Sequence, residues 1–283
     1  MQLLSDANSS ITLVGTNLQL SFMPLSQSTI KFISSLRQKK FRQSYHKFTV
    51  EGAKMVHELL QQNRYHIDQL YALPSWLGGD FKVAIPNSHS QAEVEPVVVS
   101  EKELARISQL TTPNQVLAVV HLPDHSNDDI PDLSTHWSLY LDGIQSPANL
   151  GAILRVADWF GFQRVFGGPG TADLFNHKSI QASMGSFLRV DYRTMELQQI
   201  LAVNPELPVL AADLTGESVF TFTSPPAGLL VIGSEGQGIR TNTRELVTQY
   251  LRIPSAKGRR VESLNAAVAT GILCGALYEK QSL

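Results

Sequence analysis

The chain has 283 residues, 43% of them hydrophobic, and a formal net charge of −2. That length and apolar content suit two folded domains and exclude a disordered chain. The near-neutral charge excludes a global positive field, so any nucleic-acid contact must come from a local patch.

One cysteine, Cys274, rules out an intramolecular disulfide framework and fits a reducing, cytoplasmic setting. No apolar run reaches the roughly eighteen residues of a membrane span. The N-terminus lacks the basic and apolar regions of a signal peptide.

Residues 1–25 are rich in Ser, Asn and Gln and lack periodicity, which reads as a mobile tail. A helical pattern follows, with Ile30, Ile33, Leu36 and Phe41 on one face. EGAKMVHELLQQ repeats the pattern through Ala53, Val56, Leu59 and Leu60. IDQLYAL and EVEPVVV read as strands. EKELARISQL reads as a helix capped by Ser100, and QVLAVVHL as another strand. Residues 26–122 thus form a small α/β unit. The acidic, proline-bearing stretch 123–136 reads as a linker.

From 137 to 283 strands and helices alternate. The strands are SLYLDGI, QRVFGG, LRVDYR, PVLAADL, GLLVIGSEG and LRIPS. The helices are LGAILRVADWFG, SIQASMGSF, ELQQILA, TRELVTQY and the long C-terminal ESLNAAVATGILCGALYEKQ. Such alternation predicts a mostly parallel sheet covered by helices, whose ligands belong at the C-terminal ends of its strands.

Three loops there stand out. DGIQSPANLGAILR, 142–155, sets Asn149 and Gly151 at a helix entry with Arg155 further on, a ready anion site. Helix capping by Asn149 and a surface arginine would explain the same residues. LLVIGSEGQGI, 229–239, carries an apolar strand into Gly233, Ser234, Glu235, Gly236 and Gly238. Glycines there let backbone approach a ligand, and the carboxylate suits hydroxyls, amines or a cation better than phosphate. A tight turn with a solvated glutamate is the ordinary alternative. IPSAKGRRVESLNAAVATG, 253–271, holds a proline turn, Lys257, Arg259 and Arg260, then Ser263, Leu264 and Asn265 before a helix. That helix is rich in Ala and Gly, which suggests close approach at a subunit contact or knot core.

Together the three segments resemble the motifs of the SpoU (TrmH-type) RNA 2′-O-ribose methyltransferases of the SPOUT superfamily. The resemblance rests on NLGAILR at 149–155, IGSEGQG at 232–238, IP at 253–254 and ESLN at 262–265. ASMGSFLRV at 182–190 fits the segment usual between the first two motifs. Between Pro254 and Ser263 the chain is about two residues longer than the family pattern and reads SAKG where IPM-x-G is common. Residues 28–121 resemble, more weakly, an L30e-like substrate-binding domain, through KFTVEGAKMVHELL and TTPNQVLAVV.

The resemblance implies a SPOUT-type sheet with a C-terminal trefoil knot, a homodimer, and S-adenosylmethionine as methyl donor. Gly233, Gly236, Ile253 and Leu264 map onto cofactor-binding positions. Asn149, Arg155, Glu235, Ser263 and Asn265 map onto the active site. Arg155 is expected to hold the target phosphate and stabilise developing alkoxide charge, since a guanidinium is too weak an acid to serve as base.

The substrate would be structured RNA, ribosomal before transfer RNA, with no metal required. Lys31, Arg37, Lys39, Lys40, Arg42 and Lys47 occur with no acidic residue between them. Arg37, Lys39, Lys40 and Arg42 are the expected RNA contacts. Other readings are a dinucleotide-dependent oxidoreductase, which GSEGQG fits badly, a non-catalytic RNA-binding protein, and an RNA base methyltransferase.

Overall fold

The computed structural model describes residues 24–62, 64–78, 94–124 and 129–282. All but Pro24 and Leu25 of the expected N-terminal tail lies outside them, as do residues 125–128 of the expected linker. The chain divides into two compact units, Met1–Pro123 and Asp124–Leu283.

The first unit runs α1 (Gln27–Ser35), α2 (Lys39–Tyr45), β1 (Lys47–Glu51), α3 (Ala53–Gln61), β2 (Ile67–Ala72), α4 (Pro74–Leu77), β3 (Val97–Val98), α5 (Glu101–Ile107) and β4 (Val116–His121). Its sheet has the order β1-β4-β2-β3. Strand β4 pairs antiparallel with both β1 and β2, while β2 and β3 are parallel. Ile30 and Ile33 from α1 and Leu36 just after it meet Leu104 and Ile107 from α5 over Leu117 and Val119. Ser100 caps α5 in a capping box with Glu103.

The single helix expected through Phe41 is broken in two. Arg42 folds back and donates from Nη1 to the Leu36 carbonyl at 2.8 Å and the Arg37 carbonyl at 2.9 Å, acceptors that a helix end leaves open.

The second unit runs β5 (Trp137–Asp142), α6 (Pro147–Trp159), β6 (Arg164–Gly167), α7 (His177–Ser183), β7 (Asp191–Thr194), α8 (Leu197–Val203), β8 (Val209–Ser218), β9 (Gly228–Gly233), α9 (Thr241–Arg244), β10 (Gln249–Arg252) and α10 (Ala266–Ser282). Its six strands lie in the order β10-β8-β9-β5-β6-β7, every pair parallel. The two central strands are buried almost throughout, and apart from Ser138, Tyr140 and Asp142 of β5 they are apolar, as a sheet covered on both faces favours.

TRELVTQY does not form one helix: α9 ends at Arg244, and Gln249 and Tyr250 belong to β10. Gly151 lets α6 sit directly on α7. A Cβ there would stand 2.5 Å from the Ser179 carbonyl oxygen and 2.8 Å from the Ser183 nitrogen.

Candidate active site

The C-terminal ends of β9 and β10 and the middle of β8 open onto a cavity of about 530 Å³, walled on another side by the start of α10. An irregularity in pairing makes room for it. Ala211 pairs with Tyr250 and Glu217 with Leu251, so residues 212–216 leave the ladder between two adjacent partners. Asp213 and Leu214, in that looped-out stretch, line the cavity.

The glycine turn after β9 forms one wall. Ser234 and Gly238 exchange two backbone hydrogen bonds, 3.1 and 2.9 Å. The turn closes so tightly on Gly233 that a Cβ there would lie 2.5 Å from the Gly238 carbonyl carbon. Only glycine fits this approach. The turn is tied to β5 by Asp142, which is fully buried. Its carboxylate accepts from the Arg240 backbone N–H at 2.7 Å and from Arg240 Nε at 2.5 Å. Burial works against the Arg240 charge, but the hydrogen bond and the Asp142 charge outweigh it and raise the guanidinium pKa.

Glu235, at the tip of that turn, gathers the other two motifs. Its Oε1 accepts from Asn149 Nδ2 at 2.8 Å, from Asn265 Nδ2 at 2.7 Å and from the Ala266 backbone N–H at 3.0 Å. Asn265 Nδ2 also donates to Asn149 Oδ1 at 3.1 Å. Asn265 Oδ1 meanwhile accepts from the backbone N–H groups of Ala267 and Val268, capping α10. The Glu235 carboxylate therefore sits at the positive end of a seventeen-residue helix. Asn149 is not the cap of α6. Ser146 takes that role, and Asn149 is free to face Glu235.

Of the expected residues, Gly233, Glu235, Ile253, Ser263 and Leu264 line the cavity. Asn149 and Asn265 stand beside it through Glu235. Gly236 lies in the turn, but the lining glycines are Gly233 and Gly238. Arg155 is exposed and is not among the lining residues. Six residues beyond Asn149, it is turned about 240° around α6.

Sequence reasoning overlooked Asp142, Asp213 and Arg244, and it noted Arg259 without giving it a role. Burial raises the Asp213 pKa, but hydrogen bonds from Thr215 and the neighbouring Arg244 guanidinium, 3.3 Å away, bring it below the ordinary aspartate range. Arg259 lies in the stretch where the sequence departs from the family pattern. Its Nε donates to Ser255 Oγ at 2.9 Å, and Nη1 donates to the carbonyls of Val261 and of Glu262, the latter at 2.8 Å. The extra length is thus stapled back on itself at the cavity wall.

The small residues of α10 serve contacts within this chain. A Cβ on Gly275 would meet the Phe160 ring at 3.3 Å, one on Gly271 would meet Val156 at 3.8 Å, and Ala266 and Ala269 line the cavity.

In the first unit, one of the four expected RNA contacts needs correction. Arg42 is 2% exposed and spent on backbone carbonyls, so it cannot reach a phosphate. Arg37 is exposed, but its Nη2 donates to the Ser108 carbonyl at 2.5 Å. Lys39 and Lys40 are exposed.

Comparison with known proteins identifies the family. Residues 136–275 match the model of the SpoU rRNA Methylase family, and residues 27–118 that of the MRM3-like substrate binding domain. The chain is 28% identical over 258 residues to the 23S rRNA guanosine 2′-O-methyltransferase RlmP of Bacillus subtilis, covering 86% of this chain and 93% of the relative. Among solved structures, a TrmH-family protein of Porphyromonas gingivalis is 37% identical with a TM-score of 0.77, covering 90% of this chain and 98% of the other. An AdoMet-bound rRNA methyltransferase of Sinorhizobium meliloti is 25% identical with a TM-score of 0.78, covering 91% and 97%.

Proposed function

The chain belongs to the SpoU (TrmH-type) methylase family, and we propose on that premise that it methylates a ribose 2′-hydroxyl of ribosomal RNA, with S-adenosylmethionine as donor. The observation that carries this reading is the convergence of all three motifs on Glu235 at the edge of one cavity. The rRNA methyltransferases among its relatives supply the substrate class.

The cavity suits the cofactor. About 530 Å³ falls within the roughly 300–1,000 Å³ of small-ligand sites. Ile232, Ile253 and Leu264 give apolar walls, and the Gly233 turn brings backbone close to a ligand. Gly233, Gly236, Ile253 and Leu264 are assigned to holding it. S-adenosylmethionine, when bound, supplies an electrophilic methyl on a sulfonium. The ribose 2′-oxygen would take that methyl from the sulfonium and give up its proton, and the groups gathered on Glu235 would hold the hydroxyl for the exchange.

The protein's task is then positioning, proton handling and charge stabilisation. Glu235 fixes the amides of Asn149 and Asn265, which orient the ribose, and Ser263 lies beside them on the cavity wall. Arg155 faces away from Asn149 on its own helix, so its assigned role at the phosphate and developing alkoxide falls to the Arg155 of a second copy. A homodimer follows, built on α6 and α10, where Trp159 is 83% exposed and Val268 51%.

The wider assignment follows the same resemblance. Residues 26–122 are read as an L30e-like RNA-binding domain holding Lys39 and Lys40, 123–136 as a linker, and 137–283 as a catalytic domain with a trefoil knot.

The test is transfer of labelled methyl from S-adenosylmethionine to purified ribosomal RNA, followed by digestion to nucleosides and mass spectrometry. The reading expects a 2′-O-methyl nucleoside. Label on a base would overturn the ribose assignment, and no transfer would overturn the enzyme.

A further inference from the structure

The outer face of α1 and α2 carries three aromatic rings beside a run of lysines. Phe32 rests on the core of the first unit. Phe41 is half-buried, and Tyr45, at the last turn of α2, stays 45% exposed. Phe32 meets Tyr45 edge-on, with centroids 5.0 Å apart and rings at 80°. Phe41 lies nearly parallel to Tyr45, at 6.2 Å and 15°.

Cations stand over these rings. Lys40 Nζ is 4.8 Å from the centroid of Phe41, and Lys47 Nζ 5.8 Å from that of Phe32. Lys47 also pairs with Asp68 at 2.7 Å, so its charge is partly answered; Lys31, Lys39 and Lys40 are exposed. From residue 24 to residue 50 the chain has no acidic side chain.

A cluster whose only duty was to dock α2 on α1 would bury its outermost ring. Here Tyr45 stays half in water, and the lysines stand over the two rings it touches. Flat π surface beside phosphate-binding charge fits an unpaired nucleotide, which offers a base face and a phosphate a few ångströms apart. A regular duplex offers phosphates but keeps its base faces stacked.

We propose that Tyr45 and Phe41, with Lys39 and Lys40, form a stacking platform for an unpaired nucleotide of the RNA substrate. The platform rests on the reading of the chain as an RNA methyltransferase and adds what its first unit selects: a loop or bulge rather than continuous helix.

The experiment compares two labelled RNAs by fluorescence anisotropy with the full chain. One is a hairpin with an unpaired loop; the other is a duplex of equal length with no unpaired base. Tyr45→Ala should weaken hairpin binding about tenfold, within the range of one lost base stack, and leave duplex binding unchanged. Tyr45→Phe should restore hairpin binding. Tyr45→Leu, which keeps an apolar side chain against Phe32, should behave as Tyr45→Ala while melting like the wild type. Replacing Lys39 and Lys40 by Ala should weaken both RNAs and lower the salt slope by roughly 0.7–0.9 per lost phosphate contact.

Equal loss on both RNAs, or none on either, with folded Tyr45→Leu would overturn the platform. Unchanged RNA binding by every variant, with this face instead retaining a protein partner, would assign it to a different class of ligand. Methyl transfer by the wild type is measured separately. Its absence would count against the enzyme reading, and the hairpin-versus-duplex result would still decide the platform.

Discussion

Glu235 Oε1 answers three donors, on two side chains and the first turn of α10. Glu235→Ala would release both asparagines together. It should lower kcat by about two orders of magnitude, the scale of a lost positioning contact, while cofactor affinity measured by calorimetry changes far less. Parallel loss of both would make Glu235 a cofactor ligand instead.

In the other unit, Glu51 is 4% exposed. Burial raises its pKa above the ordinary glutamate range, against the opposing pull of Ser108, Gln109 and Arg37. The folded chain therefore holds that proton more tightly than the unfolded one. The associated stability is fully present below the unfolded pKa and is lost as pH rises through the folded value. Glu51→Gln should remove this slope, so urea midpoints of variant and wild type should move relative to each other above about pH 4. Parallel profiles across that range would contradict it.

At this scale the motif residues were legible because their types and order are specific: Asn149, Glu235 and Asn265 do meet. Arg42 was misread because a run of basic residues reports composition, not direction. Its guanidinium turns inward to carbonyls that the break between α1 and α2 leaves open.

Elements were legible where period and burial agree. The central strands β5 and β9 and the long helices α6 and α10 follow from apolar runs and helical spacing. Segment 243–250 has helical spacing as well, but its last residues are drawn into β10, where parallel pairing with β8 outweighs a local preference. The looped-out 212–216 had no signal, because a bulge in pairing depends on the partner strand.

The small residues of α10 were visible, and within the chain Gly271 and Gly275 make room for α6, and Ala269 for the cavity. Gly151 makes the same kind of room between α6 and α7, with backbone atoms as the neighbours. Gly151→Ala should destabilise the protein by about 1–3 kcal/mol, the usual cost of overpacking. Chemical denaturation would register it, and a neutral result would mean that α7 can shift without loss.

At the scale of the whole molecule, the second unit alone supplies Glu235, Asn149 and Asn265 at the cavity but leaves Arg155 on another face of α6. If the partner copy provides Arg155, two inactive variants should complement each other. In a twofold dimer of Arg155→Ala with Glu235→Ala, one site keeps both intact residues and the other neither. Random pairing of co-expressed chains should then restore about a quarter of wild-type activity. No recovery from a verified mixed dimer would contradict the shared site.

The most direct test of ribose methylation itself is a map of 2′-O-methyl positions in ribosomal RNA from cells with the gene, without it, and with only Glu235→Ala. The account predicts at least one ribose methyl present in the first and missing in the other two. An identical map in all three, or a missing methyl found on a base, would contradict it.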